Sequence, residues 1–127
     1  MPKSELPRPT DAELAILRVL WQRGPSTVRQ VLEATGEETG YTTILKFLQI
    51  MTEKGLVTRD ESARTHIYQA SLPETTTQRQ LISDLLERAF SGSAAKLVLQ
   101  ALSTKKASAQ ELKEIRKLLD EMEGKSR

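Results

Sequence analysis

Apolar residues recur at helical spacing from residue 11 onward. Leu14, Leu17, Leu20 and Trp21 fall three or four residues apart, the period of one helix face. Thr10-Asp11-Ala12-Glu13 precedes them as a capping box, in which the threonine hydroxyl accepts from an early amide and the glutamate reaches back. Gly24-Pro25 breaks the run, so a first helix is expected over 11–23. Thr27-Val28-Arg29-Gln30 offers a second capping box, and Val28, Val31 and Leu32 give a short second helix its inner face, ending near Thr35-Gly36. Glu37 to Gly40 is a polar loop. A third helix starts at Thr42 and Thr43 and runs to Lys54, with Gly55 just past its end, where a left-handed residue closes a helix.

The period then changes. Leu56-Val57-Thr58-Arg59 and Thr65-His66-Ile67-Tyr68-Gln69 are β-prone runs on either side of a polar turn, Asp60 to Arg64, and predict a hairpin. Three helices followed by a hairpin, with a short second helix close before the third, is the order of a winged helix-turn-helix. Residues 1–9, with Pro2, Pro7 and Pro9, read as an extended arm.

Beyond Pro73 the pattern is purely helical. Leu81, Ile82, Leu85, Leu86, Ala89 and Phe90 form one stripe, interrupted by Ser91-Gly92-Ser93. Ala94, Leu97, Val98, Ala101 and Leu102 form a second. Ser108-Ala109-Gln110-Glu111 is a third capping box, and Leu112, Ile115, Leu118, Leu119 and Met122 form the last stripe. Three short amphipathic helices bury little by themselves, so their apolar faces are expected to pack against a second copy. The fold expected is mainly α with a small β-hairpin wing: a winged helix-turn-helix at 1–72 and a helical dimerisation domain at 73–127.

Composition narrows the function. The chain has 127 residues and no cysteine, which excludes disulfides, thiolate metal sites and cysteine nucleophiles. The N-terminus lacks the apolar run of a secretion signal, and no apolar stretch approaches the roughly 20 residues that cross a bilayer. A soluble cytoplasmic protein without a membrane partner is expected. Net charge is +2, and residues 1–72 hold nine Lys/Arg against nine Asp/Glu. Net charge therefore does not point to nucleic acid, and any such reading rests on where the charges sit. His66 is the single histidine; with no carboxylates spaced to join it, no metal site is expected. It reads instead as a strand residue beside the wing, within reach of a phosphate. No nucleophile–base pair, phosphate loop or dinucleotide fingerprint is present, so neither an enzyme nor a cofactor is expected. Trp21, Met51 and Met122 read as core.

The third helix carries the candidate chemistry. On a wheel of about 100° per residue with Thr42 at zero, Lys46, Gln49 and Glu53 fall within about 40° of it, and Ile44, Phe47, Leu48 and Met51 lie opposite. A stripe of hydrogen-bonding side chains starting at the helix N-terminus suits base reading: Thr hydroxyls reach phosphate, Lys46 reaches guanine acceptors or phosphate, and Gln49 reads adenine. A polar outer face is also what any surface helix has, and this wheel alone does not decide. In the wing, Arg59 and Arg64 flank the tip. Arg64 is the better phosphate candidate, because it opens the return strand away from Asp60 and Glu61.

Asp11-Ala12-Glu13-Leu14, Leu20-Trp21 and Thr27 to Val31 in the first two helices, with Gly40-Tyr41-Thr42-Thr43-Ile44-Leu45, Lys54-Gly55-Leu56-Val57 and His66-Ile67-Tyr68, resemble the penicillinase-repressor and methicillin-resistance-regulator family. The likeness is specific over residues 10–70 and extends by helix pattern to about 122. It implies a dimeric winged-helix repressor that binds a palindromic operator in double-stranded DNA, with Thr42, Thr43 and Lys46 meeting DNA and Arg64 in the wing. In β-lactam-responsive members a membrane sensor with a metalloprotease domain triggers cleavage of the dimerisation region at Asn-Phe. The matching place here is Gln100-Ala101, and a sensor-linked protease is the partner this implies. Many relatives carry Arg after the Gln of the third helix, where this chain has Gln49-Ile50. Copper-responsive members carry a C-terminal cysteine cluster that this chain lacks. The alternative is a winged helix serving as a protein–protein adaptor that never touches DNA.

Overall fold

The computed structural model describes residues 6–125. The start of the expected arm, including Pro2, lies outside the described residues. The chain divides into two compact units, the first ending at Gln80 and the second beginning at Leu81.

The first unit contains α1 (Asp11–Arg23), α2 (Val28–Thr35), a 3-10 turn at Glu37–Thr39, α3 (Tyr41–Lys54), and an antiparallel hairpin of β1 (Val57–Asp60) and β2 (Ile67–Ala70). This is the winged helix-turn-helix order expected. Both predicted capping boxes form. Thr10 accepts from the Glu13 amide while the Glu13 carboxylate accepts from the Thr10 amide, and Thr27 and Gln30 do the same for α2. Each pair satisfies two amides that a helix start otherwise leaves bare.

The core is built from Leu17 and Leu20 of α1, Val31 and Leu32 of α2, Ile44, Leu48 and Met51 of α3, and Tyr68 of β2, all buried. Ile16, absent from the α1 stripe read in the sequence, is buried as well, whereas Leu14 is half-buried. Trp21 packs at the edge of the core, and its Nε1–H donates to the Leu72 carbonyl at 3.0 Å. An indole on the rim is usual, since its N–H needs a partner.

Two features hold α3 in place. At its C-terminus Gly55 is left-handed at φ +86°, its amide donates to Thr52 and the Leu56 amide donates to Met51. This double bond closes the helix, and the buried Leu56 and Met51 accompany it as apolar partners. Beside it the Lys54 ammonium bonds the Glu13 carboxylate at 2.7 Å and the Arg8 carbonyl at 3.2 Å. Glu13 is buried, its side chain 4% exposed, whereas Lys54 keeps partial access to water. Burial by itself raises the Glu13 pKa, but the hydrogen bonds from Lys54 and the Thr10 amide outweigh it and hold the carboxyl below its ordinary value.

The remaining helices are α4 (Glu74–Ala89), α5 (Ala94–Thr104) and α6 (Ala109–Lys125). The start of α4 belongs to the first unit, where Thr77 is buried. Ser91 at φ 51° and Gly92 turn the chain after α4, as the Ser91-Gly92-Ser93 interruption predicts. Ser108 and Glu111 form the third capping box. Leu81, Ile82, Leu85, Val98, Leu99, Leu118 and Leu119 are exposed. Met122, read from its apolar stripe as core, is 56% exposed. A stripe defines a face that seeks burial, and a single copy of the chain does not supply that cover.

Replacing Glu13 by Gln keeps the capping geometry and removes the ion pair. The expected cost is about 1–3 kcal/mol at pH 7, read by urea unfolding. Because the folded pKa of Glu13 lies below its unfolded value, the stabilisation is fully present above about pH 4.3 and is lost as pH falls through the folded pKa. The gap between wild type and Glu13→Gln should therefore narrow progressively as pH falls below about 4.3; a gap that does not change with pH would show the pair contributes nothing through charge. Gly55→Ala should cost about 1 kcal/mol, since nothing crowds the new methyl but the left-handed backbone disfavours it.

Candidate nucleic-acid interface

The outer face of α3 is set by its inner one. Ile44, Leu48 and Met51 are locked in the core at 0–2% exposure, with Leu45 and Phe47 packed partly against it, so the polar residues of the helix point to water. Thr42, Thr43, Lys46 and Gln49 are all exposed, together on the solvent side of one helix. The expectation that Thr42 and Thr43 start this helix needs one adjustment. The helix begins at Tyr41, and its N-cap is Gly40 at φ +86°, a backbone conformation that excludes most side chains. Gly40 has no side chain to cap the helix, and among the described residues no other side chain caps it. The amides that α1 and α2 satisfy through capping boxes are therefore left without a side-chain partner at α3, next to two threonine hydroxyls. Such an end accepts an anion.

Ile50 is 39% exposed on the same helix, an apolar side chain among polar ones.

The wing is anchored to the helices through backbone. The Ser26 amide donates to the Tyr68 carbonyl at 2.9 Å, and the Tyr68 amide donates back at 2.8 Å. The α1–α2 connection thereby adds a bridge to the free edge of β2. The two arginines of the wing differ. Arg59 bonds Glu61 at 2.6 Å, and its pKa is raised by the Tyr68 hydroxyl and the Glu61 carboxylate. The Asp60 carboxylate accepts from the Ser62 amide at 2.9 Å, which lowers its pKa and stiffens the tip. Arg64 is exposed, and no hydrogen bond or ion pair engages its side chain among the described residues.

Between the starts of α2 and α3 and the returning strand lies an open cleft of about 270 Å³. Arg29, Tyr41, Arg64 and His66 line it, over an apolar floor that includes Tyr68. The Arg29 guanidinium carbon stands 5.6 Å from the centre of the Tyr41 ring, a cation–π distance. Arg29 and Tyr41 were not among the residues singled out from the sequence. The available signal was electrostatic: α2 has no acidic residue in its first turn and places a cation there, against the helix dipole.

Gln100 and Ala101 are both exposed, in the middle of α5. Among the described residues no group of three His, Asp or Glu side chains could hold a metal ion, and no helix is long and apolar enough to cross a membrane.

The family model described as penicillinase repressor matches residues 9–121. The chain is 23% identical over 119 residues to the penicillinase repressor of Bacillus licheniformis, covering 92% of this chain and 93% of that one. It is 31% identical over 123 residues to the transcriptional regulator BlaI of Mycobacterium tuberculosis, covering 94% and 88%. A crystal structure of a probable transcriptional regulator from Pseudomonas aeruginosa aligns with 90% of this chain and 78% of its own, at 22% identity and a TM-score of 0.46.

Proposed function

Since the chain belongs to the penicillinase repressor family, a family of transcriptional repressors and not of enzymes, we propose that it represses as a homodimer that binds a palindromic operator in double-stranded DNA. In this reading Thr42, Thr43, Lys46 and Gln49 of α3 enter the major groove, and Arg64 of the wing meets the backbone beside it. The observation that carries the reading is the outer face of α3. It presents donors and acceptors from an N-terminus that no side chain among the described residues caps, on a helix whose opposite face buries Ile44, Leu48 and Met51. Repression then needs no chemistry, only occupancy of the promoter.

The second copy follows from residues 73–127. Leu99 at 65% exposure and Leu118, Leu119 and Met122 at 54–56% are unusual for helices that stay alone in water. Covering them with the same residues of another copy gives a two-fold dimer, and two-fold symmetry is what a palindrome matches. The half-sites would then lie about 34–36 Å apart, or a multiple of that spacing. A sensor-linked protease that cuts at Gln100–Ala101 would have to act on a helical segment, so α5 would open locally before cleavage.

Lys46→Ala and Thr43→Ala should each weaken binding to a promoter duplex about ten- to a hundredfold in a mobility-shift assay and leave the dimer intact by sedimentation. Normal binding by both variants would put the recognition face elsewhere. A wild-type chain that retards no duplex from its neighbouring promoter at low salt would favour the adaptor reading, which the balanced charge of residues 1–72 accommodates.

Leu99→Asp combined with Leu119→Asp should convert the protein to a folded monomer by light scattering, because neither side chain is buried within one copy. A dimer of unchanged stability would place the interface on other residues.

A further inference from the structure

Deepening the DNA-binding reading, and resting on it, we propose that Arg29, held against the Tyr41 ring, forms with Arg64 and His66 a second contact that grips a backbone phosphate of the bound DNA. This contact is separate from the outer face of α3, since none of Thr42, Thr43, Lys46 and Gln49 lines the cleft.

Arg29 is badly placed for the stability of its own helix. It is the second residue of α2, where the amide dipoles favour an anion. The first turn of α1 follows that rule with Asp11 and Glu13. The first turns of α2 and α3, which border the cleft, carry no acidic residue at all. A cation kept at this position answers a negative charge from outside the chain.

The cleft is built for that charge. Arg29 from α2 and Arg64 and His66 from the wing converge on it, and no Asp or Glu lines it. This stands out in a unit whose acids and bases are otherwise equal in number. Arg29 is also pre-positioned. The Tyr41 ring, 45% exposed, lies under its guanidinium and restricts a long side chain whose freedom a phosphate contact would otherwise have to remove. A guanidinium carbon 5.6 Å from the ring centre leaves N–H groups to offer to a phosphate oxygen.

Phosphate, rather than a base edge, is the fitting ligand for geometric reasons. Base edges are reached down the groove by the outward side chains of a recognition helix. Residues flanking that helix, on the preceding helix and on the wing, meet the strands that border the groove. Tyr41 connects the two contacts. As the first residue of α3 it sits beside Thr42, so a strand gripped at Arg29 sets how far α3 enters. In this arrangement Arg29 touches the ligand and Tyr41 is a positioning residue.

The test uses the full chain and two probes: a 30-base-pair duplex recovered by wild-type selection from a random library, and an unselected duplex of the same length. Binding of wild type, Arg29→Ala, Arg29→Lys, Tyr41→Leu and, as a reference, Lys46→Ala is measured across a salt series. Arg29→Ala should weaken binding about tenfold and by the same factor on both duplexes. It should also lower the slope of log affinity against log salt by about 0.9, the signature of one lost phosphate. Arg29→Lys should keep the slope and lose part of the affinity, and Tyr41→Leu should weaken binding at unchanged slope. All these side chains are exposed or lie at the surface, and urea unfolding confirms that each variant is folded. An Arg29→Ala protein with wild-type slope and affinity, in a series where Lys46→Ala binds poorly, overturns this inference and leaves the repressor reading standing. A loss confined to the selected duplex makes Arg29 a base reader and also overturns it. A wild-type chain that enriches no duplex from the library and binds no unselected duplex at low salt overturns both.

Discussion

Two backbone hydrogen bonds between Ser26 and Tyr68 decide whether this protein has a usable wing. A two-stranded hairpin is marginal alone in water. Here the α1–α2 connection pairs with its free edge, and Tyr68 is buried to 1% between them. The register follows from that burial. A slip of one residue would turn Tyr68 to solvent and a polar neighbour inward, so the pairing that fixes Tyr68 also fixes where Arg64 and His66 leave the strand. Ser26 is itself buried, and its hydroxyl donates to the Gly24 carbonyl at 2.8 Å. The turn that ends α1 thus becomes the socket of the wing. Every contact proposed between α2, α3 and the hairpin depends on this joint.

The proposed recognition helix, α3, has a polarity that complements the joint. Its C-terminal end is closed: the backbone bonds around Gly55 satisfy its carbonyls, Leu56 enters the core, and Lys54 reaches back to Glu13 on α1. Its N-terminal end is open, with a glycine where α1 and α2 have a capping threonine. A helix made to be as stable as its neighbours would be capped at both ends. The uncapped start leaves amides for an outside partner at the place where Thr42, Thr43 and Tyr41 gather.

The element order was legible in the sequence because its punctuation is strong. Thr10, Thr27 and Ser108 open helices with complete capping boxes, and Gly24, Gly55 and Gly92 close them or turn the chain after them. The start of α3 was read a residue late, since Gly40 carries no side-chain signal and the threonines after it look like caps. The outer face of α3 was legible by periodicity, because burial of Ile44, Leu48 and Met51 dictates the rest. The cleft was not. Arg29 and Tyr41 are twelve residues apart, and Arg64 and His66 come from a hairpin whose placement depends on the Ser26–Tyr68 pairing. Periodicity reports which side of one element is buried; it does not report which elements meet. The apolar stripe ending in Met122 shows the same limit from the other side. The pattern says that a face seeks cover, and is silent on whether this chain or a second copy supplies it.

The absence of net positive charge in residues 1–72 is weaker evidence against DNA than it first looks. At physiological salt, charges more than about 8–10 Å apart are largely screened from one another, so a phosphate responds to its immediate surroundings and not to a sum over the unit. Those surroundings are unevenly arranged. Glu13 is bound to Lys54, Glu61 to Arg59, and Asp60 to the Ser62 amide. Glu13 and Glu61 thus cancel cations that lie away from the cleft, and Asp60 is held by the backbone of the wing tip. Arg29, Lys46 and Arg64 carry no such partner among the described residues. The cleft at the starts of α2 and α3 thus carries Arg29 and Arg64 with no Asp or Glu among its lining residues, in a unit that is neutral by count. Under the proposed reading, long-range attraction to any polyanion stays low, and binding strength comes from contacts made only when the helix and wing are both seated.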